Sequence, residues 1–212
     1  MESSEHFWHR EVINPQVERV LHDLRSLGVL DACYLAGGTG LALHLGHRRS
    51  HDLDFFSPHP IAPQALIGKM KTVAEFGVVS QAPDTLHVAV QAVKVSLLGY
   101  PYPLLFPLAT FLGVKVADPR DIACMKLSAI ASRGTKRDFI DLYFTSKQYG
   151  LAQLVKWFKQ KYAGVNPSPT HILKSLTWFE DAEKDPMPDL LAPLSWDDVK
   201  GFFRREAPRL SP

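Results

Sequence analysis

Tyr34-Leu-Ala-Gly-Gly-Thr-Gly-Leu-Ala-Leu-His-Leu-Gly-His-Arg-Arg-Ser-His-Asp-Leu-Asp-Phe-Phe56 is the stretch on which the fold turns. Cys33 to Ala36 is short and apolar and stops at Gly37-Gly38, as a strand entering a turn does. Leu41 to Leu45 read as the first turns of a helix, and Asp52 to Phe56 alternates polar and apolar residues as a second strand. A glycine turn with the Thr39 hydroxyl therefore stands at a helix N-terminus, where free N–H groups and the helix dipole favour phosphate oxygens. Asp52 and Asp54 lie two residues apart on the second strand, so both side chains leave the same face. Two converging carboxylates repel, and a hard divalent cation shared with substrate phosphates would resolve the repulsion. A phosphate cradle beside a metal-binding carboxylate pair is what phosphoryl or nucleotidyl transfer requires. Singly, Gly-Gly-Thr is commonly a plain turn and Asp-X-Asp a solvated strand edge; the ordered strand, helix and strand carries the inference.

Outward from this stretch, the spacing predicts a helix over 15–27, opened by Pro15 and closed by Gly28. Another is expected over 63–75, with Leu66, Ile67, Met70 and Val73 as its inner face. Strands are expected at 77–80, 86–90 and 93–97. From Pro119 the pattern turns helical: a helix from Pro119, capped by Asp118 and stopped by Gly134, then helices over 136–147, 151–162 and 170–181. A last helix starts at Ser195, three residues before Asp198 in a capping-box pattern, and ends near Arg205. Pro186 to Pro193 reads as a linker or clamped loop. The fold class is α+β: an α/β core over residues 1–117, then a helical region over 118–212 that completes the cleft.

Composition sets the outer limits. The chain has 212 residues, 46% hydrophobic and 22% charged, with a formal net charge of +2. Those values exclude disorder, a coiled-coil rod and a polybasic tail. Cys33 and Cys124 cannot form a disulfide framework and suit a reducing cytosol. The N-terminal Met-Glu-Ser-Ser-Glu-His lacks the basic and apolar regions of a signal peptide. Val95 to Val114 is uncharged over twenty residues, a membrane-spanning length, but Pro101, Pro103 and Pro107 break it. It is read as a strand running into a buried Pro-rich loop. A cytoplasmic protein without membrane contact is expected.

Gly37-Gly38-Thr39, His47-Arg48-Arg49-Ser50 and Asp52-Leu53-Asp54-Phe55-Phe56 resemble the AbiEii/AbiGii toxin-type nucleotidyltransferases, members of the polymerase-beta-like minimal nucleotidyltransferase superfamily. A second matching segment is Lys126-Leu-Ser-Ala-Ile-Ala-Ser-Arg133-Gly-Thr-Lys-Arg-Asp138-Phe-Ile-Asp141-Leu-Tyr143. The resemblance implies a nucleotidyltransferase-type mixed sheet with flanking helices, followed by a helical C-terminal part. It implies that Gly37, Gly38, Thr39, Arg49 and Ser50 bind the nucleotide and that Asp52 and Asp54 ligate Mg²⁺ or Mn²⁺. Lys126 and Asp138 join Asp52 and Asp54 as catalytic residues, with Lys126, Arg133 and Asp141 near the nucleotide. The implied activity moves a nucleoside monophosphate from an NTP to a hydroxyl of RNA (tRNA included) or protein. The implied role is the toxin of a bacterial toxin–antitoxin or phage-defence pair, with a separately encoded antitoxin.

Residue chemistry supplies its own reading of the second segment. Lys126, Ile130 and Arg133 share a helix face, so both cations can address one anion. Asp138 and Asp141 share a face of the next helix and can instead pair with those cations in an interhelical network. The superfamily's third carboxylate falls on the strand Val93-Lys94-Val95-Ser96-Leu97, where the inward residue is Ser96. Serine is no proton acceptor at neutral pH. Either Asp138 or another group substitutes, or metal alone activates the acceptor, or the protein is a catalytically impaired nucleotide- or RNA-binding module. A metal-dependent nuclease or sugar transferase using the Asp-X-Asp pair is a third, weaker reading. His44, His47 and His51 lack partners for a zinc set and read as a polar loop. Residues 126–161 carry eight Lys or Arg against two Asp, with Trp157, Phe158 and Tyr162 interleaved. A solvated basic helix face explains them better than an RNA-docking surface.

Overall fold

The computed structural model describes residues 7–73, 75–165 and 168–210. The hexapeptide read above for a signal sequence, and position 74 of the helix expected over 63–75, lie outside the described residues. The chain forms two compact units, Met1–Pro103 with Pro107–Asp118, and Leu104–Phe106 with Pro119–Pro212.

The first unit opens with α1 (Pro15–Ser26), whose N-cap Asn14 accepts a hydrogen bond from the Val17 amide at 2.9 Å. Then come β1 (Tyr34–Leu35), α2 (Gly37–Leu45), β2 (Leu53–Ser57) and α3 (Pro63–Met70). The remaining strands are β3 (Phe76–Ala82), β4 (Thr85–Val90), β5 (Val93–Gly99), β6 (Ala109–Phe111) and β7 (Val114–Val116). They form one seven-stranded sheet in the order β3-β4-β5-β2-β1-β7-β6. The sheet is mixed: β2 runs parallel to β5 and β1 parallel to β7, whereas the other pairs are antiparallel. Val17, Val20, Leu21 and Leu24 of α1 join Leu53, Phe55, Leu86, Val88, Val95 and Leu97 in one buried core.

Three expectations change here. The helix begun by Pro63 stops at Met70, five residues early: only Met70 is fully buried, and Glu75 takes a positive φ of 54° that no helix allows. The Pro-rich segment after Gly99 is half-exposed or exposed rather than buried. Beyond it, the hairpin β6–β7 turns at Leu112-Gly113, both at positive φ (49° and 77°), and its strands are too short for alternation to reveal them. No helix among the described residues is long and apolar enough to cross a membrane.

The second unit contains α4 (Pro119–Ser132), α5 (Lys136–Tyr149), α6 (Leu151–Lys161), α7 (Pro169–Ser175), α8 (Glu180–Glu183) and α9 (Trp196–Glu206). The single helix expected over 170–181 is two short ones. The capping box at α9 is present in full, Ser195 and Asp198 each bonding the other's backbone amide. Phe139 anchors the core, with Phe179, Trp196 and Phe203 rings 5.1, 5.9 and 5.5 Å away.

Two buried ion clusters pin these helices. Lys161 Nζ meets Asp121 Oδ1 at 2.8 Å with both side chains fully buried. Asp121 also accepts from the Leu105 and Phe106 amides at 3.1 and 3.0 Å, and Arg120 lies 3.7 Å over the Phe106 ring. These bonds are why Leu104–Phe106 belongs with the helices. In the other cluster Lys126 Nζ sits 2.9 Å from Asp138 Oδ1 and 2.7 Å from Asp141 Oδ2, tying α4 to α5. Burial alone would raise the Asp138 carboxyl, but the Lys126 charge and the Thr135 hydroxyl outweigh it and hold Asp138 below the ordinary carboxylate range. Cys33 and Cys124 are buried and free, and burial pushes their thiols up to about 11 and about 12.

Asp121→Ala leaves a buried ammonium without its counter-ion and should cost about 3–5 kcal/mol in denaturant unfolding. The Asp138 carboxylate is favoured in the folded state, so its stabilisation is complete above the unfolded Asp pKa, about 3.9. It is lost as pH falls below that value towards the lower folded pKa. Thermal melts from pH 7 to pH 3 should show this acid loss, and Asp138→Asn should flatten it.

Candidate active site

The glycine turn enters α2 earlier than its composition suggests. The helix begins at Gly37, and Gly40 N–H to Ala36 O (2.9 Å) is its first internal hydrogen bond. The amides of Gly37, Gly38 and Thr39 therefore have no intrahelical acceptor, while the Ala36 amide donates to Asp54 O at 3.0 Å. Gly37 has a φ of +60°, and a Cβ there would lie 2.6 Å from Asp54 Oδ2. Glycine is thus required twice, by conformation and by the carboxylate against it.

Thr39 is 1% exposed. Its hydroxyl bonds Ser50 Oγ at 2.8 Å and, by a shorter contact, the Asp52 carbonyl. The hydroxyl therefore ties the start of α2 to the segment leading into β2, and Thr39 can offer an incoming anion its amide. Ser50 is buried in the same knot. Arg49 is exposed, whereas Arg48 is 3% exposed with its guanidinium against Gly38. A Cβ on Gly38 would lie 2.2 Å from Arg48 Nη2. Arg48 is a functional candidate that sequence reasoning passed over for its neighbour, since nothing in a two-arginine run says which one turns inward.

Asp52, just before β2, and Asp54, within it, are both half-exposed, and Leu53 and Phe55 between and beside them are fully buried. The carboxylates thus share the face opposite the core. On the neighbouring strand Ser96 pairs in register with Asp54. Ser96 in turn pairs with His87, whose Nδ1 is 3.1 Å from Ser96 Oγ. His87 is the second residue the sequence reading missed.

Mg²⁺ commonly takes one or two carboxylates and fills its octahedron with substrate phosphate oxygens and water. The two hard oxygen donors beside a turn of outward amides fit that requirement. Among the described residues no three His, Cys, Asp or Glu gather into a complete protein cage. A cation here would be shared with substrate.

The remaining candidates lie in the helical unit. Lys126, Asp138 and Asp141 form the interhelical network described above, and Arg133, largely exposed, has its Nε 3.9 Å from Asp138 Oδ2. Lys126 thus points at two carboxylates rather than sharing an open anion site with Arg133. Among the histidines, His44 Nε2 bonds Ala117 O at 2.8 Å under the Trp8 ring, and His47 is buried rather than part of a solvent-facing loop. In the basic stretch, Phe158 and Tyr162 are buried, and Trp157 packs on Phe106 and Tyr149 at 5.1 and 5.9 Å. Phe158 and Tyr162 are committed to the core and Trp157 is half-exposed, while Lys156 and Lys159 face solvent.

The family described as nucleotidyl transferase AbiEii toxin, Type IV toxin–antitoxin system, matches residues 19–210. An uncharacterized protein of Aquifex aeolicus is 37% identical over 200 residues, covering 92% of this chain and 95% of that protein. Among solved structures, MenT4, a nucleotidyltransferase toxin of Mycobacterium tuberculosis, superposes with a TM-score of 0.55 at 18% identity, over 91% of this chain and 84% of that one. JHP933 of Helicobacter pylori gives 0.51 at 18% identity, over 93% and 92%. The two superpositions share the mixed sheet and helices seen here. With the family match over nearly its whole length, the chain belongs to the AbiEii toxin family of nucleotidyltransferases.

Proposed function

We propose that this enzyme uses Mg²⁺ or Mn²⁺ to transfer a nucleoside monophosphate from an NTP to a hydroxyl of RNA, tRNA included, or of protein, releasing pyrophosphate. The observation that carries the reading is the placement of Asp54 against the Gly37 turn, with Asp52 on the same half-exposed face. The amides of Gly37, Gly38 and Thr39 bind the anionic phosphate oxygens, helped by the α2 dipole and by the Arg48 charge beneath the turn. Ser50 and the Thr39 hydroxyl hold the turn to β2. Asp52 and Asp54 would hold the divalent ion, which when bound offsets the charge on the transferring phosphoryl group. Exposed Arg49 is assigned to the nucleotide by family resemblance, as are Lys126, Arg133, Asp138 and Asp141. For Lys126 the resemblance implies that it offsets the charge of the leaving pyrophosphate, a role that would require it to give up part of its pairing with Asp138 and Asp141.

The biological reading is a cytoplasmic toxin in a bacterial toxin–antitoxin or phage-defence pair, restrained by a separately encoded antitoxin. Family membership supports it. A second reading, a nucleotide-binding module with impaired catalysis, draws on Ser96, which pairs with Asp54 on the strand expected to bring a third carboxylate.

Purified protein incubated with each α-³²P-labelled NTP, Mg²⁺ and total RNA should place label on RNA or on protein. Asp52→Ala and Asp54→Ala should each lower that transfer by about 10²-fold or more while leaving the thermal melt nearly unchanged. Full transfer by a folded Asp52→Ala variant would falsify the assignment. NTP binding by calorimetry without transfer to any acceptor would favour the binding-only reading.

A further inference from the structure

On the half-exposed face of the sheet, β2, β5 and β4 run side by side, and their register sets Asp54, Ser96 and His87 in one transverse row. The flanking residues of all three strands, Leu53 and Phe55, Val95 and Leu97, Leu86 and Val88, are buried on the other face. The row therefore projects where the carboxylates project. The His87 ring leans along it towards β5, its Nδ1 3.1 Å from Ser96 Oγ. A serine hydroxyl is no general base, whereas an imidazole nitrogen with a free lone pair is a proton acceptor. When Nδ1–H donates to Ser96 Oγ, Nε2 carries the lone pair. The charged groups on this face of the packed strands are Asp52 and Asp54 on the β2 side and exposed Lys94 on β5; on β3 the residue opposite His87 is the uncharged Ser80.

We propose that His87, oriented by Ser96, accepts the proton of the attacking hydroxyl, the task a third carboxylate would otherwise perform. The inference rests on the nucleotidyl-transfer reading of the Asp52 and Asp54 site. In the step, the acceptor oxygen bonds the α-phosphorus as its O–H bond breaks. The bridging bond between the α-phosphorus and the β-phosphate oxygen breaks, and its electron pair leaves with pyrophosphate. The hydroxyl proton passes to His87 Nε2 and is returned to solvent before the next turnover. Ser96 is a positioning residue, acting through the ring.

The test compares full-length wild type, His87→Gln, His87→Ala, Ser96→Ala, Ser96→Thr and Asp54→Asn. The assay follows α-³²P-NTP transfer to total RNA or to protein from pH 5.5 to 9, with NTP binding by calorimetry and the fold checked by circular dichroism. Both His87 variants should bind NTP as wild type does and lose about 10²–10³-fold in transfer rate, along with the acid limb of the pH profile. Added imidazole should restore part of the rate to His87→Ala. Ser96→Ala should keep the acid limb and NTP binding but lower the transfer rate, and Ser96→Thr should recover part of that rate. Transfer by folded His87→Gln within about threefold of wild type, with an unaltered pH profile, overturns the role of His87. Failure of the underlying reading is distinct: wild type then transfers nothing, or Asp54→Asn transfers as well as wild type, and the His87 inference falls with it.

Discussion

The period-two alternation of β2 is the constraint from which the site follows. Leu53 and Phe55 are fully buried in the sheet's core face, and a strand cannot bury alternate residues without turning the intervening ones outward. Asp54 therefore faces away from the core, and Asp52 with it. A one-residue slip would put both carboxylates into an apolar interior at a cost of several kcal/mol each, so the core fixes the face from which they project. Because β2 lies between β5 and β1, the same register governs Ser96 and, one strand further, His87.

The two units handle charge in opposite ways. In the helical unit the acidic groups are closed on cations: Asp121 on Lys161, and Asp138 and Asp141 on Lys126. Such clusters are costly to break and fix the arrangement of α4, α5, α6 and the 104–106 segment. In the sheet unit Asp52 and Asp54 stay half-exposed on one face. Arg48 brings its buried positive charge up against Gly38.

Much of the fold could be read from residue order alone. α1, β2, β4 and β5 carry clear periodicity, β1 shows as a short apolar run ending at glycine, and Ser195 with Asp198 marks the start of α9. Where the reading failed, local pattern had given way to context. The helix from Pro63 could not keep its face buried beyond Met70, and β6 and β7 are three-residue strands held by pairing with each other and with β1. The uninterrupted helix expected over 170–181 is split between α7 and α8.

The site divides along the same line. Residue spacing sufficed for the local geometry around Gly37, Gly38, Thr39, Asp52 and Asp54, because a turn, a helix start and an alternating strand are local objects whose side-chain directions follow from backbone period. Spacing set Ser96 apart from its neighbours as the inward residue of its strand, but the structure turns it to the half-exposed face and buries Val95 and Leu97 on the core side. Spacing could not choose Arg48 over Arg49, since that depends on what lies under Gly38. Nor could it connect His87 to Asp54, thirty-three positions away in the chain, since lateral neighbours in a sheet are set by strand order and register. Those are properties of long-range pairing, and no run of consecutive residues encodes them.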